Sequence, residues 1–82
     1  MRIMKISVKL FASLGRYAPS GASAKPFDVA IEEDATLQRL MDQLGIPQGE
    51  VRLMFVNGRA KTPEEALRPG DEVGFFPPIG GG

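Results

Sequence analysis

The residues of this sequence that could do chemistry lie at its C-terminal end, where residues 75–82 read FFPPIGGG. Glycine has no Cβ, so a glycine tip can enter a channel too narrow for side chains and approach a reactive centre closely. Pro77 and Pro78 fix φ and hold the departing chain extended. The pattern predicts a slender tail, residues 77–82, that spans about 20 Å when stretched and presents the main-chain carboxylate of Gly82.

A carboxylate is a poor electrophile until it is activated. Attack of the Gly82 carboxylate on the α-phosphate of ATP would give an acyl-adenylate, with pyrophosphate as the leaving group. That mixed anhydride could then accept sulfur or an amine, and no side chain of this protein would take part. The alternative is that the three glycines are a frayed end without function, because termini are often disordered.

The side chains of this sequence include no recognisable group of catalytic residues. The 82 residues include no cysteine, histidine or tryptophan, so the commonest general base and metal ligand is absent. No base is spaced to activate the loop serines, and the acidic run 32–34 precedes a helix, where capping and solvation are its expected roles. We therefore expect a protein that is not an enzyme, with no metal site and no bound cofactor.

The charge balance and the hydropathy argue against a nucleic-acid-binding, membrane-spanning or exported protein. Ten Lys and Arg balance ten Asp and Glu, which argues against nucleic-acid binding. No apolar run approaches the roughly 20 residues of a membrane span, and the N-terminus alternates instead of forming a signal-peptide block. We expect a cytoplasmic location.

The elements that carry the tail can be read from the periodicity. Residues 5–10 and 27–32 alternate apolar and polar and are predicted to pair as an antiparallel hairpin. The next apolar residues, Leu37, Leu40, Met41 and Leu44, have helical spacing, with Thr36 as N-cap and Gly45 as stop. Three further strands follow over residues 51–56, 59–61 and 73–76, the first two joined by a tight turn at Asn57-Gly58.

One helix can cover only one face of a sheet, so the order predicts an α+β fold with about five strands in a mixed sheet and one main helix. We expect the helix to meet Ile6, Val8, Leu10, Val29, Ile31, Phe55 and Val73. The pattern is that of the ubiquitin-like β-grasp, although periodicity alone also permits other small α+β packings. Residues 1–76 form the predicted domain, and 77–82 the extended, flexible tail.

The other face of the sheet also carries apolar residues. Alternation in VRLMFVNG places Met54 and Val56 opposite Phe55, and Phe76 lies opposite Val73 and Phe75. We expect Met54, Val56 and Phe76, with Phe11, to form an exposed apolar patch beside the tail, as interaction sites do. The alternative is a core that wraps around the sheet edge.

Both ends of the sequence resemble a known family. GDEVGFFPPIGGG (70–82) is similar to the C-terminus of ubiquitin-like sulfur carriers, above all the small subunit of molybdopterin synthase, and VKLFASLGRYA (8–18) resembles that family's first strand. The resemblance implies a β-grasp protein that is adenylated by a ubiquitin-activating-type adenylyltransferase using ATP. A sulfur donor protein then supplies the sulfur of a terminal thiocarboxylate, which enters the large synthase subunit for molybdopterin synthesis.

The same resemblance implies roles for individual residues. Gly82 would accept AMP and then sulfur, and Gly81 would be the second small residue. Phe11 and Phe76 would contact the partner, and the remaining predicted partner-binding residues are Met54, Val56, Pro77, Pro78, Ile79 and Gly80.

The sequence departs from that family at two places, and other functions stay open. Gly15 stands where the family often has arginine, and Gly80 makes a triple glycine that resembles the thiamin-pathway sulfur carrier. A modifier joined to lysines through Gly82, and an interaction domain with an idle tail, are the alternatives from other classes. The loop at residues 18–26 has no assigned role.

Overall fold

The computed structural model describes residues 2–19 and 25–78, which form a five-stranded mixed sheet with one α-helix on one face. The strand order is β2-β1-β5-β3-β4; β1 and β5 are parallel and the other neighbours antiparallel. In chain order the elements are β1 (Ile3–Leu10), a 3-10 helix (Ala12–Tyr17), β2 (Phe27–Glu32), α1 (Leu37–Leu44), a second 3-10 helix (Gln48–Glu50), β3 (Leu53–Val56), β4 (Arg59–Ala60) and β5 (Glu72–Phe76). The predicted α+β architecture is confirmed. None of the helices in this described part is long and apolar enough to cross a bilayer.

The first two strands form the predicted antiparallel hairpin. Their register sets Ile6 opposite Val29 and Met4 opposite Ile31, so that the apolar residues of both strands lie on the same face of the sheet. All four of these side chains are buried. The hairpin therefore supplies one side of the core.

Helix α1 begins and ends at the predicted residues. The hydroxyl of Thr36 accepts a hydrogen bond from the backbone N–H of Arg39 at 3.2 Å, which satisfies one of the free donors of the first turn. Gly45 ends the helix with φ = 77°, a left-handed conformation that glycine adopts without a Cβ clash. Leu37, Leu40 and Met41 are completely buried against the sheet.

The turn at Asn57-Gly58 is also as predicted. Both residues have positive φ, 52° and 82°, as a type I′ hairpin turn requires. The turn connects β3 to the two-residue strand β4, where Phe55 pairs with Ala60. The side chain of Asn57 further accepts the N–H of Glu72 and donates to Asp71, both at 2.9 Å, which fixes the turn to the start of β5.

The segment between β1 and β2 contains structure that periodicity did not predict. Residues 12–17 form a 3-10 helix, and its Leu14 is completely buried in the core. Short 3-10 turns have no extended apolar repeat, so a sequence rich in glycine and small residues indicated only a loop. Residues 20–24 of this segment, part of the loop without an assigned role, lie outside the described residues.

The side chains of β3 lie on the opposite faces of the sheet from those predicted. Met54 and Val56 are buried in the core, with 8% and 6% of their surface exposed, whereas Leu53 is 46% exposed. Their predicted place in an exposed patch is therefore wrong, as is the predicted place of Phe55 under the helix. Pairing with β5 decides the orientation, because Met54 lies opposite the buried Phe75 and directly opposed residues point to the same side.

Candidate functional site

The face of the sheet opposite the helix carries three phenylalanine rings in contact. The rings of Phe11 and Phe76 stack with centroids 4.0 Å apart and planes at 8°. Phe55 meets Phe76 edge-on, at 5.4 Å and 81°. We call these three residues the aromatic cluster. Each is only partly buried, so the cluster is an apolar surface available for contact, and the predicted outward position of Phe11 and Phe76 is confirmed.

Strand pairing explains why the rings meet. Gly74 of β5 lies between Lys9 of β1 and Phe55 of β3. Since Gly74 has no side chain, the rings of Phe11 and Phe76 lie over its backbone, and a Cβ built there would be 3.5 Å from Phe11 and 3.8 Å from Phe76. The ammonium group of Lys9 lies 5.4 Å from the Phe11 ring centroid, a cation–π distance.

The aromatic cluster lies at the base of the tail. The backbone N–H of Phe11 donates to the carbonyl of Phe75 at 3.1 Å, and that of Arg52 donates to the carbonyl of Phe76 at 2.7 Å. The chain is thus bonded on both sides up to the residue that precedes Pro77. Proline has no N–H to continue the ladder, so regular pairing ends at the residue where the tail begins.

Pro77 and Pro78 line a groove beside the cluster. The groove has a volume of about 940 Å³ and lies between the start of the first 3-10 helix, at Ala12 and Ser13, and the segment 49–53 that leads into β3. Phe11 and Phe76 form part of its wall. The predicted partner-binding residues Phe11, Phe76, Pro77 and Pro78 are therefore contiguous.

The remaining predicted site residues are the last four of the sequence. Ile79, Gly80, Gly81 and Gly82 lie outside the described residues, so their roles stay predictions. Sequence reasoning missed Leu53 and Phe55 on the outer face. The alternation of β5 predicts that Phe76 points outward. Its antiparallel partner Leu53 must then point outward too.

An arginine connects the two 3-10 helices beside the groove. Arg16 donates a hydrogen bond to Glu50 and another, at 3.3 Å, to the Tyr17 hydroxyl, which joins the first 3-10 helix to the second. The pKa of Arg16 is raised by the Tyr17 and Glu50 hydrogen bonds, in that order. No polar or charged side chain is buried among the described residues.

Comparison with known families identifies the family of this chain. A family described as Mut7-C ubiquitin matches residues 3–79, nearly the whole chain. This chain belongs to the Mut7-C ubiquitin family. The match agrees with the ubiquitin-like resemblance of both ends of the sequence and confirms the β-grasp prediction. No curated protein matches the chain.

Solved structures with the same fold cover almost the whole chain. Small archaeal modifier protein 1 from Haloferax volcanii has a TM-score of 0.71 and 26% identity, over 93% of this chain and 99% of that one. A Pyrococcus furiosus protein assigned as molybdopterin converting factor subunit 1 has a TM-score of 0.72 and 26% identity, with the same coverage. Caldiarchaeum subterraneum ubiquitin shares the fold at 17% identity and a TM-score of 0.61, over 99% of this chain and the whole of that one.

Proposed function

We propose that this protein is a ubiquitin-like sulfur carrier for molybdopterin synthesis, and that its reactive group is the carboxylate of Gly82. One observation supports the proposal above all. Phe76, the last residue of the sheet, belongs to the partly buried aromatic cluster on the outer face, and the tail follows it directly. A partner that binds the cluster would therefore hold the base of the tail while the glycines reach into its active site.

The chemistry would take place on the partner. An adenylyltransferase of the ubiquitin-activating type would bind ATP, and a Gly82 carboxylate oxygen would attack the α-phosphorus and release pyrophosphate. Sulfur at the oxidation level of sulfide, supplied by a donor protein, would then attack the carbonyl carbon of the adenylate, so that AMP leaves and a thiocarboxylate forms. The acceptor would be a pterin precursor bound to a large synthase subunit. The 26% identity with the Pyrococcus furiosus molybdopterin converting factor subunit 1 supports this pathway.

A second candidate is a protein modifier that is joined to lysines through Gly82. The 26% identity with small archaeal modifier protein 1 favours it. Activation by an adenylate is common to both functions, and only the acceptor differs, sulfur in one case and an amine in the other.

The intact mass of the protein from its native host tests both functions. A sulfur carrier is expected to show a fraction that ends at Gly82 with one oxygen replaced by sulfur. A modifier is expected to appear in conjugates of high mass, lost when Gly81 and Gly82 are deleted. The mass also measures which residue ends the mature protein; a chain that ends elsewhere, or one that carries neither change, would contradict both functions. The matched control is Glu64→Ala, a substitution at an exposed residue that does not line the groove and that leaves the glycines in place.

A further inference from the structure

The tight turn between β3 and β4 contains a pair of residues that can react with each other. Asn57 is the only asparagine of the chain, and Gly58 follows it. Both residues are exposed, and a Cβ built on Gly58 would meet no atom within 4 Å. Solvent therefore reaches this turn, and no side chain at position 58 hinders the backbone nitrogen.

An asparagine followed by glycine can lose its amide nitrogen without a catalyst. A hydroxide ion would take the proton of the Gly58 N–H, and the backbone nitrogen would then attack the side-chain carbonyl carbon of Asn57. A carbon–nitrogen bond forms, the bond to the amide nitrogen breaks, and ammonia leaves with a proton from water. The product is a cyclic succinimide. Water opens this ring at either carbonyl and gives aspartate or isoaspartate, with no oxidant or reductant involved.

The fold holds the Asn57 amide in place at both of its ends. The amide oxygen accepts the N–H of Glu72, and the amide nitrogen donates to Oδ1 of Asp71, both at 2.9 Å. The backbone N–H of Asn57 also donates to the carbonyl of Glu72, at 2.8 Å. Attack on a carbonyl carbon comes from above the plane of the amide, so the amide must be free to rotate. The bonds to the start of β5 fix that plane.

Asp71 is the residue that holds the amide nitrogen, and it is itself well fixed. Its Oδ2 accepts the backbone N–H of Arg68 at 2.8 Å, and its backbone carbonyl accepts the N–H of Ser7 at 2.9 Å. Hydrogen bonds to an ionised carboxylate are roughly twice as strong as those between neutral groups. The bond from Asn57 to Asp71 should therefore be the main restraint on the amide.

We propose that Asn57 is a deamidation site, which reacts when the turn separates from the start of β5 and which the Asp71 carboxylate protects while the two are joined. The product would not restore the junction. An aspartate at position 57 would set a second carboxylate against that of Asp71, and like charges at such a distance repel. An isoaspartate would add a methylene group to the main chain of a tight turn. This site is independent of the proposed function.

Incubation of the full-length protein near neutral pH, in buffer and in urea, measures the reaction. Digestion and mass spectrometry of the peptide that contains Asn57 give the rate, and chromatography separates aspartate from isoaspartate. The unfolded chain is expected to react about tenfold faster or more, because the folded chain must first break the hydrogen bonds of the amide. Equal rates would show that the fold gives no protection, and no product in urea would overturn the assignment of the site.

An Asp71→Ala variant tests which contact protects the site. Its rate in buffer should exceed that of the wild type by about tenfold, the factor for the loss of one hydrogen bond to a charged group. The control is Val29→Ala, which weakens the core at β2, the edge strand farthest from β4. Equal acceleration by the two variants would mean that Asn57 reacts through global unfolding, and would overturn the role of Asp71.

The product itself gives a readout that needs no change at Asp71. Asn57→Asp imitates the aspartate product and should lower the urea midpoint of unfolding, as should the deamidated protein separated from the unmodified protein by ion exchange. The control is Gln48→Glu, the same change from amide to acid at an exposed residue far from the turn in sequence, which should leave the midpoint unchanged. A midpoint of Asn57→Asp equal to that of the wild type would contradict the proposed loss of the junction.

Discussion

At the scale of single residues, Phe76 joins the fold to the tail. Its ring contacts Phe11 and Phe55, and its carbonyl accepts the N–H of Arg52. The next residue is Pro77, so the direction in which the chain leaves the sheet is set at Phe76. The aromatic cluster therefore has a structural role in addition to its proposed contact with a partner.

The stacked pair should show a measurable coupling. We expect Phe76→Ala to lower the free energy of unfolding by about 2 kcal/mol, less than for a fully buried ring, and expect the Phe11→Ala/Phe76→Ala cycle to give a coupling of about 0.5–1.5 kcal/mol. Urea unfolding measures both. The control cycle pairs Phe11→Ala with Ile3→Ala, at the exposed far end of β1, and should be additive within about 0.5 kcal/mol. Additivity of the stacked pair would contradict the expected contact.

Glu32 should make stability depend on pH. Its pKa is lowered by a hydrogen bond from its own backbone N–H and then by Arg39, whose Nε lies 2.7 Å from the carboxylate. A carboxylate with a lowered pKa in the folded state stabilises the protein above its unfolded pKa, about 4.3, and loses that effect as the pH falls through the folded pKa. The stability difference between wild type and Glu32→Gln should therefore be largest near neutral pH and vanish in acid.

Urea unfolding between neutral pH and acid measures this difference. The Arg39→Ala background is the control, and there the pH dependence should be smaller but not absent, because the backbone hydrogen bond remains. Titration of Glu32 at or above the ordinary carboxyl pKa, followed by NMR, would contradict the prediction.

At the scale of elements, strand β3 shows how pairing overrides local pattern. Apolar residues occupy both faces of this strand, so alternation alone is compatible with either orientation. Antiparallel pairing with β5 brings Met54 against Phe75 and Leu53 against Phe76. Since Phe75 is completely buried, Met54 and Val56 follow it into the core, and Phe55 joins the outer face.

Neighbouring substitutions in β3 can verify this orientation. Met54→Ala removes a buried side chain and should cost about 2–5 kcal/mol of stability, as core truncations do. Leu53→Ala, one residue away and exposed, should cost no more than about 0.5 kcal/mol. Thermal or urea unfolding of the two variants is sufficient, and the reverse order of the two losses would mean that the strand has the other face inward.

At the scale of the whole molecule, a single core connects the sheet, helix α1 and the first 3-10 helix. Leu14 lies in that core with none of its surface exposed, and the Arg16–Glu50 ion pair connects its helix to residues 48–50. A chain of 82 residues buries only about 60–65% of its unfolded surface. We therefore expect no part of this core to be stable by itself.

Unfolding should accordingly be cooperative. Tyr17 is the only tyrosine and tryptophan is absent, so fluorescence reports on the first 3-10 helix, while far-UV circular dichroism reports on the sheet and α1. The two signals should change at the same urea concentration. As a control, Leu14→Ala should lower both midpoints together, with a loss of about 2–5 kcal/mol. A Tyr17 transition at lower urea than the circular dichroism transition would show that the 3-10 helix is a separate unit.

The α+β class, the β1–β2 hairpin, the bounds of α1 and the Asn57-Gly58 turn were all predictable from the amino-acid sequence. Each depends on interactions between residues close in the chain, or on an apolar repeat with one clear face. The orientation of the β3 side chains, the burial of Leu14 and the contacts of Phe11, Phe55 and Phe76 beside Gly74 were not predictable in this way. These features depend on which strands become neighbours, and three strands distant in sequence must pair before Gly74 has Lys9 on one side and Phe55 on the other.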